Sequence, residues 1–221
     1  MNLQSQPLPG DQLELCPPLV APSSQEPAKI ALPYEAGLFR AIEIDPPWQY
    51  RDRGFNGYDT VQEYRIHCPY PTMGLDELAA MGPELARVAN ERCHLWLWTT
   101  KDFLPDGFAL LDAWGGWKFK QLFTWIKTSQ VSGKLTYGMG YWCRNACEYL
   151  ILAVNETKGN RPLAATTTPN YILAPRAKHS AKPEAAYDLI RANSAEPRLS
   201  IFQRSAREGF ECWGNEMEET P

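Results

Sequence analysis

An acid, two prolines and a tryptophan stand together at Asp45-Pro46-Pro47-Trp48, directly after the apolar run Ala41-Ile42-Glu43-Ile44. Ile42 and Ile44 alternate as a strand requires, and Pro46 has no amide hydrogen with which to continue a central strand. The strand is therefore expected to end at Asp45, and the carboxyl ends of strands are where open α/β sheets bind ligands. Two prolines fix the backbone at little entropic cost and push the residue before each into extended geometry. The result is a rigid set of acceptors, the Asp45 carboxylate and the Pro46 carbonyl, beside an aromatic plate. That set suits a planar base with an exocyclic amino group, the two acceptors taking the amino hydrogens while Trp48 stacks on the ring. The same four residues also fit a plain strand end followed by a turn with a packing tryptophan.

The elements that must position this turn can be read in order. Residues 1–33 carry seven prolines among Ser and Gln with little periodicity, and read as a mobile extended arm. Residues 49–73 lack clear periodicity and follow the turn directly, as a functional lid would. Leu75, Leu78, Met81, Leu85 and Val88 have helical spacing over 75–90, broken by Gly82-Pro83 into two short helices. Residues 93–100 read as a buried strand, 103–114 as an amphipathic helix ended by Gly115-Gly116, and 119–125 and 148–154 as further strands. Residues 166–180 read as a long loop, Lys182-Pro183-Glu184 as the opening of a helix through Ile190 with Pro183 in its first turn, and 199–202 and 210–213 as closing strands. Alternation of strand and helix predicts one α/β domain over 34–217, a mostly parallel sheet with helices on both faces, and a short tail over 218–221.

Seven blocks occur in a set order: Asp45-Pro46-Pro47-Trp48, Pro69-Tyr70-Pro71-Thr72-Met73, His94-Leu95-Trp96-Leu97-Trp98, Gly140-Tyr141-Trp142-Cys143-Arg144-Asn145, Lys182-Pro183-Glu184, Leu199-Ser200-Ile201-Phe202-Gln203-Arg204 and Trp213-Gly214-Asn215-Glu216. Together they resemble the adenine-N6 methyltransferases related to the catalytic subunit of the eukaryotic messenger-RNA methylation complex, over about Ala41 to Glu216. The resemblance implies a Rossmann-like methyltransferase that uses S-adenosylmethionine, with the catalytic turn placed before the cofactor segment. Asp45, Pro46, Pro47 and Trp48 would then be catalytic. Asp45, Lys182, Phe202, Arg204, Asn215 and Glu216 would hold the cofactor, Asn215 and Glu216 suiting paired ribose hydroxyls that each donate and accept. Where some relatives carry Glu, this chain has Ser200. A glycine-rich cofactor loop is absent, as in other members.

For a polymer substrate, Arg51, Arg53, Arg144, Arg176, Lys178 and His179 stand in loops beside the catalytic turn and could line a phosphate path, since phosphate contacts position a strand. Any one of them alone is ordinary surface charge. Tyr70 resembles a base-facing tyrosine of the family and reads equally well as a packing ring. The total charge of −4, with a pI near 5.5, excludes a generally basic nucleic-acid coat, yet residues 158–207 hold nine Lys or Arg against Glu184, Asp188 and Glu196. The expected substrate is adenine in DNA, with RNA as the first alternative and an inactive scaffold subunit as the second. A homodimer or a paired subunit is a further expectation from the family.

Other chemistries lack support. His67, His94 and His179 have no metal or triad spacing, and His94 reads as a hydrogen-bonded core residue. Cys143 and Cys147 do not meet zinc spacings, so no metal is expected. No phosphate-cradling Gly-Lys-Ser/Thr loop is present. Six scattered cysteines and no apolar leader or span predict reduced thiols and a cytoplasmic location.

Overall fold

The computed structural model describes residues 30–49, 71–138, 143–155, 167–176 and 181–214. Seven strands form one sheet: β1 (Phe39–Ile44), β2 (Ala89–Thr99), β3 (Trp117–Thr128), β4 (Cys147–Asn155), β5 (Tyr171–Pro175), β6 (Arg198–Ile201) and β7 (Glu211–Trp213), in the order β5-β3-β4-β2-β1-β6-β7. Four helices connect them: α1 (Leu75–Ala79), α2 (Gly82–Val88), α3 (Leu104–Trp114) and α4 (Glu184–Asn193). β1 pairs in parallel with β2 and β6, β6 with β7, and β3 with β5, whereas β4 is antiparallel to both β2 and β3. Six strands thus share a direction, and one runs against them.

Period-two alternation divides the core between the two sheet faces. Ile42, Ile44, Leu95, Leu97, Ile151, Leu199 and Ile201 face α1, α2 and α3, where Leu78, Leu85, Leu110 and Trp114 cover them. Ala41, Trp96, Trp98, Phe123, Trp125, Leu150 and Leu152 lie on the other face, against Ala186 and Ile190 of α4. Each such buried aliphatic side chain stabilises the fold by roughly 1.5–3 kcal/mol before entropy is counted. Because every strand of the centre is covered on both sides, its sequence is nearly continuous in apolar residues rather than alternating.

The mostly parallel α/β sheet with helices on both faces, a Rossmann-like arrangement, is as expected, and four details differ. β5 lies inside the stretch expected to be loop over 166–180. It is a short edge strand with Tyr171 and Leu173 exposed, so its five residues lack the apolar density of the central strands. Among the described residues β3 leads to β4 without a helix, and β4 returns antiparallel. Pro183 is the N-cap of α4 in extended geometry (φ −69°, ψ 142°) rather than a residue of its first turn. The end of the arm is packed. Leu32 is buried, its N–H donates to Glu84 Oε2 at 3.1 Å, and Arg87 donates to the carbonyls of Leu32 and Tyr34, each at 2.7 Å. The rest of the arm and the 218–221 tail lie outside the described residues.

Candidate active site

All strand ends that could bind a ligand meet at one edge. The carboxyl ends of β1, β2, β3, β5, β6 and β7 and the amino end of antiparallel β4 lie there together. β1 ends at Ile44, and Asp45 follows directly at this edge, its N–H donating to Ile201 O at 3.4 Å. The two prolines then turn the chain: Trp48 N–H donates to Pro46 O at 2.8 Å and Met73 N–H to Pro47 O at 2.9 Å. Pro46 O keeps one further lone pair, since a carbonyl carries two.

Lys182, just before α4, brings its ammonium to Asp45 Oδ1 at 2.8 Å and to Glu148 Oε2 at 3.4 Å, and lies 5.3 Å from the centre of the Trp98 ring. Lys127 closes the row from β3, 2.6 Å from Glu148 Oε1. The Lys182 side chain is 8% exposed and that of Asp45 28%, so the pair leaves the carboxylate accessible. Burial pushes the Asp45 carboxyl above its ordinary range, and Lys182 pulls it back only in part. Burial also works against ionised Glu148, but Lys182 and Lys127 together outweigh it and hold that carboxyl below the usual range. For Lys182 burial disfavours the charged form, yet Asp45 and Glu148 prevail and its pKa is raised.

Behind this row lies a second carboxyl on the same face of β1. Glu43 is fully buried, and its Oε2 accepts from the Ser200 hydroxyl, its neighbour across the sheet, and from Gln203 Nε2 at 3.3 Å. Gln203 Nε2 also contacts Tyr187 OH at 2.7 Å. Burial pushes the Glu43 carboxyl up to about 7.

The segment after β6 is shaped by strain. Phe202 has φ +67°, a conformation that costs a side-chain-bearing residue roughly 1–2 kcal/mol. It lets Phe202 N–H and Gln203 N–H converge on Trp213 O, at 2.7 and 3.2 Å. Gly214 crosses so close that a Cβ there would lie 2.2 Å from Gln203 O. Arg204 stands close enough to Asp45 to act on its charge.

Of the residues singled out from the sequence, Asp45, Pro46, Pro47, Lys182, Phe202 and Arg204 gather at this edge. Arg144 and Arg176 lie exposed at the same edge, before β4 and after β5. Arg51, Arg53, Tyr70, Lys178, His179, Asn215 and Glu216 lie outside the described residues. Trp48 is a correction. The residue is 8% exposed, and its ring stacks on Phe103 at 5.1 Å with planes 10° apart and donates from Nε1 to Trp98 O at 3.3 Å. With Phe103 on one face and the core around it, it is a packing ring that stiffens the turn, not an open plate. His94 is a hydrogen-bonded residue, Nδ1 lying 2.9 Å from Ser194 Oγ. Among the described residues no cluster of His, Cys, Asp or Glu could hold a metal, and no helix is long and apolar enough to cross a membrane.

Sequence reasoning missed Glu148, Lys127 and Glu43. The available signal was their setting, each a charged residue inside or bordering an apolar strand.

Two comparisons bear on this arrangement. A Type II methyltransferase, M.MunI of Mycoplasma sp, is 23% identical over 191 residues, covering 81% of this chain and 78% of that protein. The sequence pattern of the MT-A70 family matches residues 39–216, from the first residue of β1 to the last of the Trp-Gly-Asn-Glu block. With the acid-Pro-Pro-Trp turn at the ligand-binding edge of a Rossmann-like sheet, this chain belongs to the MT-A70 family of methyltransferases.

Proposed function

We propose that the protein transfers a methyl group from S-adenosylmethionine to the N6 amine of adenine in DNA. The observation that carries this reading is the Asp45–Lys182 pair at the carboxyl edge, directly after β1 and held by the Pro46-Pro47 turn. Membership of the family supports the methyl donor, and the donor set fits it. A carboxylate and an ammonium side by side match the amino-acid end of such a molecule, and the resemblance to the family assigns its ribose to Asn215 and Glu216.

The donor supplies an electrophilic methyl on a sulfonium. The N6–CH3 bond would form as the S–CH3 bond breaks, the sulfur leaving as a neutral thioether and the amine's proton passing to solvent at the accessible edge, directly or through Asp45. Such an in-line displacement needs no covalent enzyme intermediate, so positioning and electrostatics carry the rate. The adenine amine is a weak nucleophile because its lone pair is delocalised into the ring. Hydrogen bonds from that amine to Asp45 and to the remaining lone pair of Pro46 O localise the lone pair towards the methyl. Partial burial makes Asp45 a stronger proton acceptor than a solvated carboxylate, and Lys182 fixes its rotamer. Arg144 and Arg176, both exposed, would meet phosphates at the rim, and a duplex target would extrude its adenine at a cost of a few kcal/mol.

The test is mass spectrometry of nucleosides from matched DNA and RNA oligonucleotides incubated with the protein and isotope-labelled S-adenosylmethionine. The expected product is labelled N6-methyladenine in DNA, lost in Asp45→Asn and Asp45→Ala. Label in RNA alone would move the activity to that polymer, and near-normal turnover by Asp45→Asn would remove Asp45 from the chemistry.

A further inference from the structure

Glu43 is a carboxyl at the site to which the methyl-transfer reading gives no task. It stands two residues before Asp45 on the same face of β1, fully buried, between Trp96 of β2 and Ser200 of β6. Oε2 has two donors, but Oε1 is equally shielded from water and has no hydrogen-bond partner. A carboxylate with one bare oxygen is costly in such a wall unless a counter-charge answers it.

The charged and titratable groups around it are committed elsewhere. Lys182 contacts Asp45 and Glu148, and Lys127 contacts Glu148. From α4, Tyr187 faces Glu43 through Gln203. Arg207 lies 4.2 Å over the Tyr187 ring and pairs with Glu184. Arg198 of β6 donates to Ser194 O and Glu196. Cys212 of β7 and Asp45, directly after Glu43's strand, add only negative charge when ionised. Lys182 and Lys127 thus face Asp45 and Glu148, with the Arg204 guanidinium also acting on Asp45, and it is burial that disfavours a third carboxylate at Glu43.

We propose that Glu43 reads the charge of the methyl donor: it is a neutral acid in the ligand-free protein and gives up its proton when a sulfonium cation seats beside Asp45. This rests on the methyl-transfer reading above. The Glu43 O–H bond breaks, the proton passes to the buffer, and the carboxylate left behind answers the positive sulfur in a setting of low dielectric. The thioether that remains after transfer is neutral, so Glu43 takes a proton back and loses its attraction for the product. By linkage, donor affinity must rise with pH where Glu43 titrates, and product affinity must not. The position of that titration, near 7, follows from burial. Glu43 is on this account a specificity-determining residue that separates donor from product by charge.

The experiment is titration calorimetry of the wild-type protein with S-adenosylmethionine and with S-adenosylhomocysteine, each in two buffers of different ionisation enthalpy. The donor is expected to release a sizeable fraction of one proton near pH 6.5 and the thioether almost none. Donor affinity should rise roughly five-fold from pH 6 to 8 for a shift of about one pKa unit. In Glu43→Gln both the release and the rise should vanish. In the ligand-free state, the melting temperature of Glu43→Gln minus that of wild type should grow from pH 5 to 7 and then level off. Donor binding without proton release, or release that persists in Glu43→Gln, overturns the proposal alone. A melting difference that does not change with pH also overturns it. If Glu43→Gln does not fold, the wild-type calorimetry decides. Failure of both ligands to bind sinks the methyl-transfer reading and the proposal with it, while the melting profile still reports whether Glu43 carries a proton.

Discussion

The ammonium of Lys182 sits 2.8 Å from Asp45 Oδ1 although the two lie 137 positions apart in the chain, and it reaches Glu148 at 3.4 Å from the same position. A lysine just before a helix is usually solvated, but this one is held against Trp98 with its side chain 8% exposed. Replacing it with Met removes the charge and keeps the stem. Lys182→Met leaves two carboxylates facing each other, so the Asp45 carboxyl should rise further and the fold should lose about 2 kcal/mol, between the values of exposed and fully buried pairs. The pH profile of turnover should move to higher pH, with kcat reduced at least about ten-fold at neutral pH. Denaturant titration and pH–rate profiles of wild type and variant measure both effects.

Acid stability should depend on Glu148. Its folded carboxyl titrates below the ordinary range because Lys182 and Lys127 favour the ionised form. The stability it contributes is therefore present above its unfolded value of about 4.5 and is lost as pH falls through the lower folded value. Glu148→Gln should be less stable than wild type at pH 7, and the gap should close as the pH is taken towards 3. Thermal melts across that range give the answer; a gap that stays constant would mean the two lysines do not stabilise this carboxylate.

Backbone strain at Phe202 predicts an inverted order of variants. Phe202→Ala loses the ring contact with Trp213, 5.9 Å between centroids, and keeps a side chain at φ +67°. Phe202→Gly loses the same ring and relieves the strain, so it should be more stable than Phe202→Ala by about 1 kcal/mol. Chemical denaturation of the two proteins side by side tests this. Everywhere in a regular element the order would be the reverse, because glycine costs more unfolded-chain entropy.

At Gly214 the limit is space. A Cβ would meet Gln203 O at 2.2 Å and Gln203 N at 3.0 Å, both backbone atoms that cannot rotate away. Gly214→Ala should force β7 away from the segment after β6, break the pair of hydrogen bonds to Trp213 O, and cost about 2 kcal/mol or more. Donor affinity should fall with it, whereas Gly133→Ala, with open space around its Cβ, should leave affinity unchanged and cost only the strain of φ +65°. Binding isotherms of the two variants separate a local cradle effect from general destabilisation.

Much of the site was legible in the sequence because its local chemistry is stiff. An apolar run stopped by Asp45-Pro46-Pro47 has few ways to fold, so a strand end with a fixed turn follows from residue types alone. Helix boundaries at Gly82-Pro83 and Gly115 were readable for the same reason. The order of seven short blocks pointed to the family, and the match over residues 39–216 agrees.

Other features needed the tertiary structure, since they depend on which strands become neighbours. Nothing local says that Glu148 will lie beside Lys182, because that contact exists only once β4 returns antiparallel between β3 and β2. Trp48 has the composition of a base plate, and only packing reveals that Phe103 already stacks on it. Glu43 reads as one polar letter in an apolar strand; its isolation comes from Trp96 and Ser200, supplied by strands distant in the chain. The sequence by itself determined the backbone geometry of the Asp45-Pro46-Pro47-Trp48 turn, through steric limits that act within a few residues. The tertiary structure decided which charges face one another, because Coulomb energies and burial depend on distances that local sequence does not contain.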